Sequence, residues 1–295
     1  MKRFACILMA VSIVFALAGC QKTEKKVVIA SKPMAESYII AEMLGQLIEA
    51  NSDITVEYKT GIGGGTSNIQ PAMEAGEIDM YPEYTGTGWL FVLKKDLIRD
   101  PVELYKEVSK GYKDSYNFKW LDLYGFNDTY ALSMDRTLAE ENGIETYSDL
   151  AAASPQLTLG AEYDFYERED GYPGLVKEYG FAFKETKDID IGLKYKAIGA
   201  GEVDVINNFS TDGLLSEYDL KVLVDDKQFF PAYQAATVIR QVTLDKYPEL
   251  EGILNKLAGQ ISDKEMQQMN YYVEHDNKEA KAVAKEFLVS KGLLQ

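Results

Sequence analysis

One passage occurs twice: Ala75-Gly76-Glu77-Ile78-Asp79-Met80 returns as Ala200-Gly201-Glu202-Val203-Asp204-Val205. In each copy a Gly closes a helical pattern and a short apolar run opens a strand. An aromatic follows each strand: Tyr84 in Tyr84-Thr85-Gly86-Thr87, and Phe209 in Phe209-Ser210-Thr211-Asp212-Gly213. Ala-Gly-Glu is a common helix stop, so coincidence is one reading of the echo. The other is two related α/β lobes, each with an aromatic at the C-terminal end of an equivalent strand. In open α/β sheets that edge binds ligands.

Outward from the echo, strands and helices alternate. Val27–Ala30, Ile54–Tyr58, Ile78–Tyr81 and Trp120–Leu123 read as strands. Met34–Ala50 has helical apolar spacing, and a helix capped by Thr66 or Ser67 is expected after the turn Gly61–Gly65. Trp89–Leu93 and Pro101–Ser115 read as helical. Beyond Tyr130, Ala131–Met134, Leu157–Gly160, Val203–Ile206 and Val222–Val224 read as strands. Gly174–Tyr179, Leu193–Ala200 and Thr211–Tyr218 read as helices, and the tail from Pro248 is helical nearly throughout. This alternation predicts α/β sheets with crossover helices.

The 295 residues include 31 Lys+Arg against 47 Asp+Glu, a formal charge of −16. No basic run stands out, which argues against nucleic acid as a partner. One His and two Cys leave little for metal sites, disulfides or nucleophilic catalysis. The chain is expected to use neither metal nor cofactor and to be no enzyme.

Residues 1–19 read as a signal peptide: Met1-Lys2-Arg3 is positive, Phe4–Leu17 is apolar but short for a span, and small residues precede Cys20. Leu17-Ala18-Gly19-Cys20 resembles the bacterial lipoprotein box. That implies cleavage before Cys20, diacylation of its sulfur, residues 20–25 as a tether, and a protein held on the outer side of the cell membrane. An unmodified Cys20 in a secreted protein is the alternative.

Familiar catalytic signatures are missing. Gly61-Ile62-Gly63-Gly64-Gly65-Thr66 fails the dinucleotide pattern at its last position, and no glycine loop ends in Gly-Lys-Ser/Thr. No Gly-x-Ser-x-Gly elbow occurs. Glu167-Arg168-Glu169-Asp170 has the wrong spacing for a calcium loop. Aromatic rings are the conspicuous resource: 20 Tyr, 12 Phe and 2 Trp. Tyr84, Tyr130, Phe209 and Tyr233 differ from the rest in lying near polar loop residues at strand ends.

The segments Glu83-Tyr84-Thr85-Gly86-Thr87, Gly125-Phe126-Asn127-Asp128-Thr129-Tyr130-Ala131 and Arg168-Glu169-Asp170-Gly171-Tyr172 resemble the substrate-binding proteins of bacterial glycine betaine/choline ABC transporters. So do Ser210-Thr211-Asp212-Gly213 and Phe230-Pro231-Ala232-Tyr233. The resemblance runs from about Lys26 to the C-terminus. It implies an α/β, two-lobed, type II periplasmic-binding-protein fold with a hinge of two chain crossings. Lobe one is expected over 26–127 plus 229–295, and lobe two over 128–228. It further implies a cage for a quaternary ammonium made by Tyr84, Tyr130 and Tyr233, with Phe209 where the family usually has a fourth tyrosine. Thr87, Lys32 and Arg168 match positions that grip a ligand carboxylate. A permease with its ATPase is the implied partner of a monomeric binding protein.

The chemistry suits the resemblance. A trimethylammonium group donates no conventional hydrogen bond, whereas an aromatic face offers negative quadrupole. A carboxylate at the other end suits a guanidinium and an ammonium. On this reading the ligand is a zwitterion, glycine betaine or proline betaine, and its carboxylate offsets the burial of two cations. Choline or a histidine-derived betaine such as ergothioneine in the same cage is the alternative, as is a non-transport lipoprotein of the same fold. The residues alone also allow Arg168 a surface pair with Glu167 or Glu169, and Lys32 a solvated strand end.

Overall fold

The computed structural model describes residues 25–294; the expected signal peptide and Cys20 lie outside them. Ten strands form two five-stranded sheets. The first contains β1 (Lys26–Ala30), β2 (Thr55–Lys59), β3 (Met80–Tyr84) and β4 (Phe118–Trp120). The second contains β5 (Tyr130–Asp135), β6 (Thr158–Ala161), β7 (Glu185–Asp188), β8 (Val205–Phe209) and β9 (Leu220–Val222). The last strand, β10 (Ala235–Arg240), returns to the first sheet.

The orders are β2-β1-β3-β10-β4 and β7-β6-β8-β5-β9. They match strand for strand: three parallel strands, then one antiparallel strand, then a short edge strand. The antiparallel member of each sheet is the strand that has just crossed from the other. The crossings run side by side, joined by an antiparallel bridge between Asn127 and Gln234.

The repeated passage does the same work in both lobes. Gly76 and Gly201 adopt left-handed φ values of 81° and 71°. The next N–H groups, of Glu77 and Glu202, reach back to the carbonyls of Ala72 and Ala197 and close the preceding helices. Asp79 then accepts from Val28 N–H at 2.8 Å and donates its own N–H to the Val28 carbonyl. Asp204 treats Thr158 in the same way, at 2.7 Å and 3.0 Å. Each Asp clamps the start of its strand to the neighbouring parallel strand. The echo is structural.

Several local expectations shift. Helix Pro101–Tyr116 begins where its sequence asks, with Asp100 accepting from Glu103 N–H ahead of Pro101. Helix Thr66–Glu74 does not: its N-cap is Gly65, and Thr66 instead donates its hydroxyl to Glu83 at 2.6 Å. Trp89–Leu93 lies mostly in a π-helical turn, Thr87–Val92. The helix expected over Thr211–Tyr218 shrinks to a 3-10 turn, Gly213–Ser216. There the chain presses on helix Asp263–Glu274, and a Cβ at Gly213 would stand 2.3 Å from the Tyr271 nitrogen. Tertiary contact leaves no room for the longer helix.

Helix Ala35–Asn51 is the main support of the first sheet, burying Ile39, Ile40, Met43, Leu44, Leu47 and Ile48. Burying such side chains contributes about 1.5–3 kcal/mol each. Its first turn, at the top of β1, also buries a carboxylic acid, Glu36, which is 1% exposed.

Candidate functional site

The C-terminal ends of the two sheets face one cavity of about 600 Å³, within the roughly 300–1,000 Å³ usual for small-molecule sites. Tyr84, Tyr130, Phe209, Tyr233, Thr87, Lys32 and Arg168 all line it. Tyr84 ends β3 and Phe209 ends β8, while Tyr130 and Tyr233 lie on the two crossings. The Tyr130 ring centroid stands 4.8 Å from that of Phe209 and 5.3 Å from that of Tyr233. Gly86 makes the Tyr233 position possible, since a Cβ there would fall 2.6 Å from the ring.

Two of the hydroxyls are committed to carboxyl groups. Tyr84 donates to Glu36 at 2.5 Å, and Tyr233 donates to Asp170 at 2.8 Å. These bonds fix the orientation of the rings. Burial, together with the nearby carboxylates, holds both phenols well above their ordinary titration.

The two cations are placed differently from expectation. Arg168 is buried and makes a two-point pair with Asp170, Nε to Oδ1 at 2.8 Å and Nη2 to Oδ2 at 2.5 Å. It is not a surface pair with Glu167 or Glu169. Nη2 also reaches Thr87 Oγ1 at 3.3 Å. Burial works against the guanidinium charge, but Asp170 with the Tyr130 and Tyr233 hydroxyls outweighs it and raises the titration further. Lys32 Nζ donates to Glu83 Oε1 at 2.5 Å. Protein carboxylates therefore already compensate both cations, and the idea that a ligand carboxylate must do so is corrected.

Ammonium and guanidinium groups stand over the rings themselves. Lys32 Nζ lies 4.6 Å above Tyr84, Arg168 Cζ 5.6 Å from Tyr130, and Lys194 Nζ 5.0 Å from Phe209. Three rings of the group thus present faces that attract cations in this very geometry.

The wall also carries five acids beside its glycine turn and a few apolar side chains. Asp128, Glu162, Asp164, Asp188 and Asp190 join the lining. Glu162 is held by buried Lys194 at 2.9 Å and by Asn207 Nδ2 at 2.9 Å. Burial raises the Asp164 titration, against the opposing pull of Arg168 and Lys32. Sequence reasoning missed Glu36, Glu83, Asp170 and Lys194 as supports of the site. Asp170 lay inside a quoted motif, two residues from Arg168. Glu36 carried no signal, being one of three glutamates on its helix with nothing local to set it apart from Glu42 and Glu49.

Two sheets of matching topology enclosing a ring-lined cleft define a two-lobed solute-binding protein. Residues 25–290 match the family described as the substrate binding domain of ABC-type glycine betaine transport system, and the chain belongs to that family. It is 46% identical over 270 residues to the ergothioneine transport permease/ergothioneine binding protein EgtU of Helicobacter pylori, covering 92% of this chain and 48% of that one. The chain thus spans about half the length of that relative. It is 38% identical to the carnitine transport binding protein OpuCC of Listeria monocytogenes, over 86% of this chain and 82% of the relative. A solved structure described as a glycine betaine/carnitine/choline ABC transporter superposes with a TM-score of 0.72 at 38% identity, covering 92% of this chain and all of the other. Relatives in this family are substrate-binding proteins of ABC importers.

Proposed function

We propose that this chain captures a quaternary ammonium betaine outside the cytoplasm and hands it to the permease of an ABC importer. The observation that carries the reading is the placement of Tyr84, Tyr130, Phe209 and Tyr233 around one interlobe cavity. Rings over a methylated ammonium contribute about 0.5–2 kcal/mol each. Four such faces supply a large part of the roughly 8 kcal/mol that micromolar affinity needs. Thr87, Lys32 and Arg168 line the same cavity, which supports a role for them in meeting the carboxylate of glycine betaine or proline betaine. No bond is made or broken in this role. The lobes, dividing near residues 127/128 and 228/229, would close by rotation about the two crossings.

A second reading is favoured by the five carboxyl groups on the wall. They suit a betaine that also carries hydrogen-bond donors, as the ring of ergothioneine does. Kinship with an ergothioneine-binding relative points the same way.

Calorimetric titration with glycine betaine, proline betaine, carnitine, choline and ergothioneine separates the readings. Micromolar or tighter binding of at least one supports the function, and the rank order assigns the ligand. Absence of heat with all five would overturn it.

Among the described residues no helix is long and apolar enough to cross a membrane. We place the protein at the outer membrane face through a lipid on Cys20, as a monomer beside a permease whose ATPase drives import. Cys20→Ser should then move the protein from the membrane fraction to the soluble one. Continued sedimentation with membranes would exclude this anchor.

A further inference from the structure

Beneath Tyr84 three polar groups from separate parts of the chain meet out of reach of solvent. Glu36 belongs to lobe one, Thr211 to lobe two and Asp128 to the first crossing; all are at most 3% exposed. Thr211 Oγ1 lies 2.7 Å from Glu36 Oε2 and 2.7 Å from Asp128 Oδ1. A threonine hydroxyl has one hydrogen, so it donates to only one of the two. The other contact needs its own hydrogen, and the only source is a proton on a carboxyl group. Otherwise two carboxylates would face one oxygen in a buried space. Glu36 already accepts from Tyr84 at 2.5 Å and from Asn270 Nδ2 at 3.3 Å. Asn270 also donates to the Thr211 carbonyl at 2.9 Å.

We propose that Glu36, Thr211 and Asp128 share one proton, that this proton ties lobe two to lobe one directly under the Tyr84 ring, and that its loss at alkaline pH weakens ligand capture. Without it, repulsion between the two carboxylates falls on the Thr211 hydroxyl that joins them. The seat of Tyr84 is then disturbed together with the contact between lobes. Glu36 and Thr211 act here as positioning residues, and the proton belongs to the pair of acids jointly.

The electrostatic surroundings agree. Facing the cluster are Tyr84 from β3, Asp212 and Tyr195 from lobe two, and Glu274 from helix Asp263–Glu274. The buried cation Lys194 acts on Asp212, which in turn acts on Asp128. Burial raises Glu36 to about 7 against the hydrogen bonds it accepts. Burial and the charges of Glu36 and Asp212 push Asp128 well above the usual carboxylate range.

The test compares wild type with Asp128→Asn and Glu36→Gln, whose amides supply a fixed hydrogen where the shared proton sits. Glycine betaine is the titrant because its own charges do not change between pH 6 and pH 9. The readout is the ratio of dissociation constants at those two pH values, so a change in absolute affinity does not affect it. The wild-type ratio should reach about tenfold for each unit of titration crossed in the window, and both amide variants should bring it close to one. The capture part rests on the function proposed above, so a ligand-free arm follows thermal unfolding across the same pH range. A carboxyl group raised in the folded state retains a proton that the unfolded chain gives up. Stability should therefore fall as pH rises from 6 to 9 in wild type, and fall less in either variant. A flat wild-type melting profile, or wild-type slopes retained by both variants, would overturn the shared proton. Expected melting behaviour with no glycine betaine binding would sustain the interlobe proton and remove the link to this ligand.

Discussion

Lys32 and Glu162 occupy equivalent places in the two lobes and carry opposite charge. Ile29 pairs with Met80 in the first sheet, and Leu159 with Val205 in the second; three residues further on come Lys32 and Glu162. Each is clasped by its own lobe, Lys32 by Glu83 and Glu162 by Lys194. Each lobe also sets an ammonium over its strand-end ring, Lys32 over Tyr84 and Lys194 over Phe209. The frame of the cleft is thus duplicated while its chemistry has diverged: the same place holds the cation of an ion pair in one lobe and the acid of an ion pair in the other.

The cage assignment makes the most direct prediction. Tyr84→Leu and Tyr130→Leu keep apolar bulk and remove a ring face. Each should weaken betaine binding by about 0.5–2 kcal/mol, the usual worth of a cation over a ring. Calorimetry on the two variants, checked for folding by circular dichroism, decides the matter. Wild-type affinity in both would mean that the ligand sits elsewhere.

The pair of Lys194 and Glu162 should be strongly coupled. Lys194 is fully buried, and its ammonium meets Glu162 at 2.9 Å and Asn207 at 3.1 Å. Removing one partner of such a pair strands the other, at about 3–5 kcal/mol. Lys194→Met should lose that much stability in denaturant titration. Adding Glu162→Gln should restore part of it, and a double-mutant cycle measures the coupling. Simple additivity of the two changes would contradict the pairing.

Asp170 should prove as important as Arg168. It accepts both guanidinium bonds and the Tyr233 hydroxyl. Asp170→Ala leaves a buried guanidinium without its carboxylate, and we expect a loss of about 3–5 kcal/mol. Arg168→Met with Asp170→Leu should be far milder than Asp170→Ala, because neither charge is then stranded. Equal destabilisation by the single and double changes would argue that the turn itself, not the pair, is at fault.

Acid should loosen one helix start. Glu265 closes a capping box with Ser262 and meets Lys291 at 2.8 Å. Those bonds, the Lys291 contact first, hold its carboxyl down at about 2. A depressed carboxylate stabilises the fold above its unfolded titration and ceases to do so as pH falls through the folded one. Glu265→Gln should therefore lower stability at pH 7 by about 0.2–1 kcal/mol, the scale of a half-exposed ion pair, and the deficit should shrink as pH falls toward 2 and vanish below it. A deficit that persists in acid would point to packing instead of charge.

Much of the architecture is legible in local patterning. Asp100-Pro101 starts a helix, Gly76 and Gly201 stop two, and apolar runs between such signals mark strands. Such choices depend on neighbours in sequence. The aromatic residues at the strand ends were legible too, through the echo that pairs Tyr84 with Phe209 and through motifs resembling a known family. Where a local signal met a tertiary demand it lost: Thr66 gave up capping to bond Glu83, and the segment after Thr211 stayed short against Tyr271.

The amino-acid sequence by itself determined two α/β lobes and the candidate rings between them, because backbone periodicity and turn chemistry act over a few residues. Only the tertiary structure decided who partners the charges. Arg168 turns to Asp170, Lys32 to Glu83 across 51 positions, and Thr211 to Glu36 across 175. A buried charge must be compensated by whatever group the fold brings within about 3 Å. That distance exists only after both sheets and both crossings are in place.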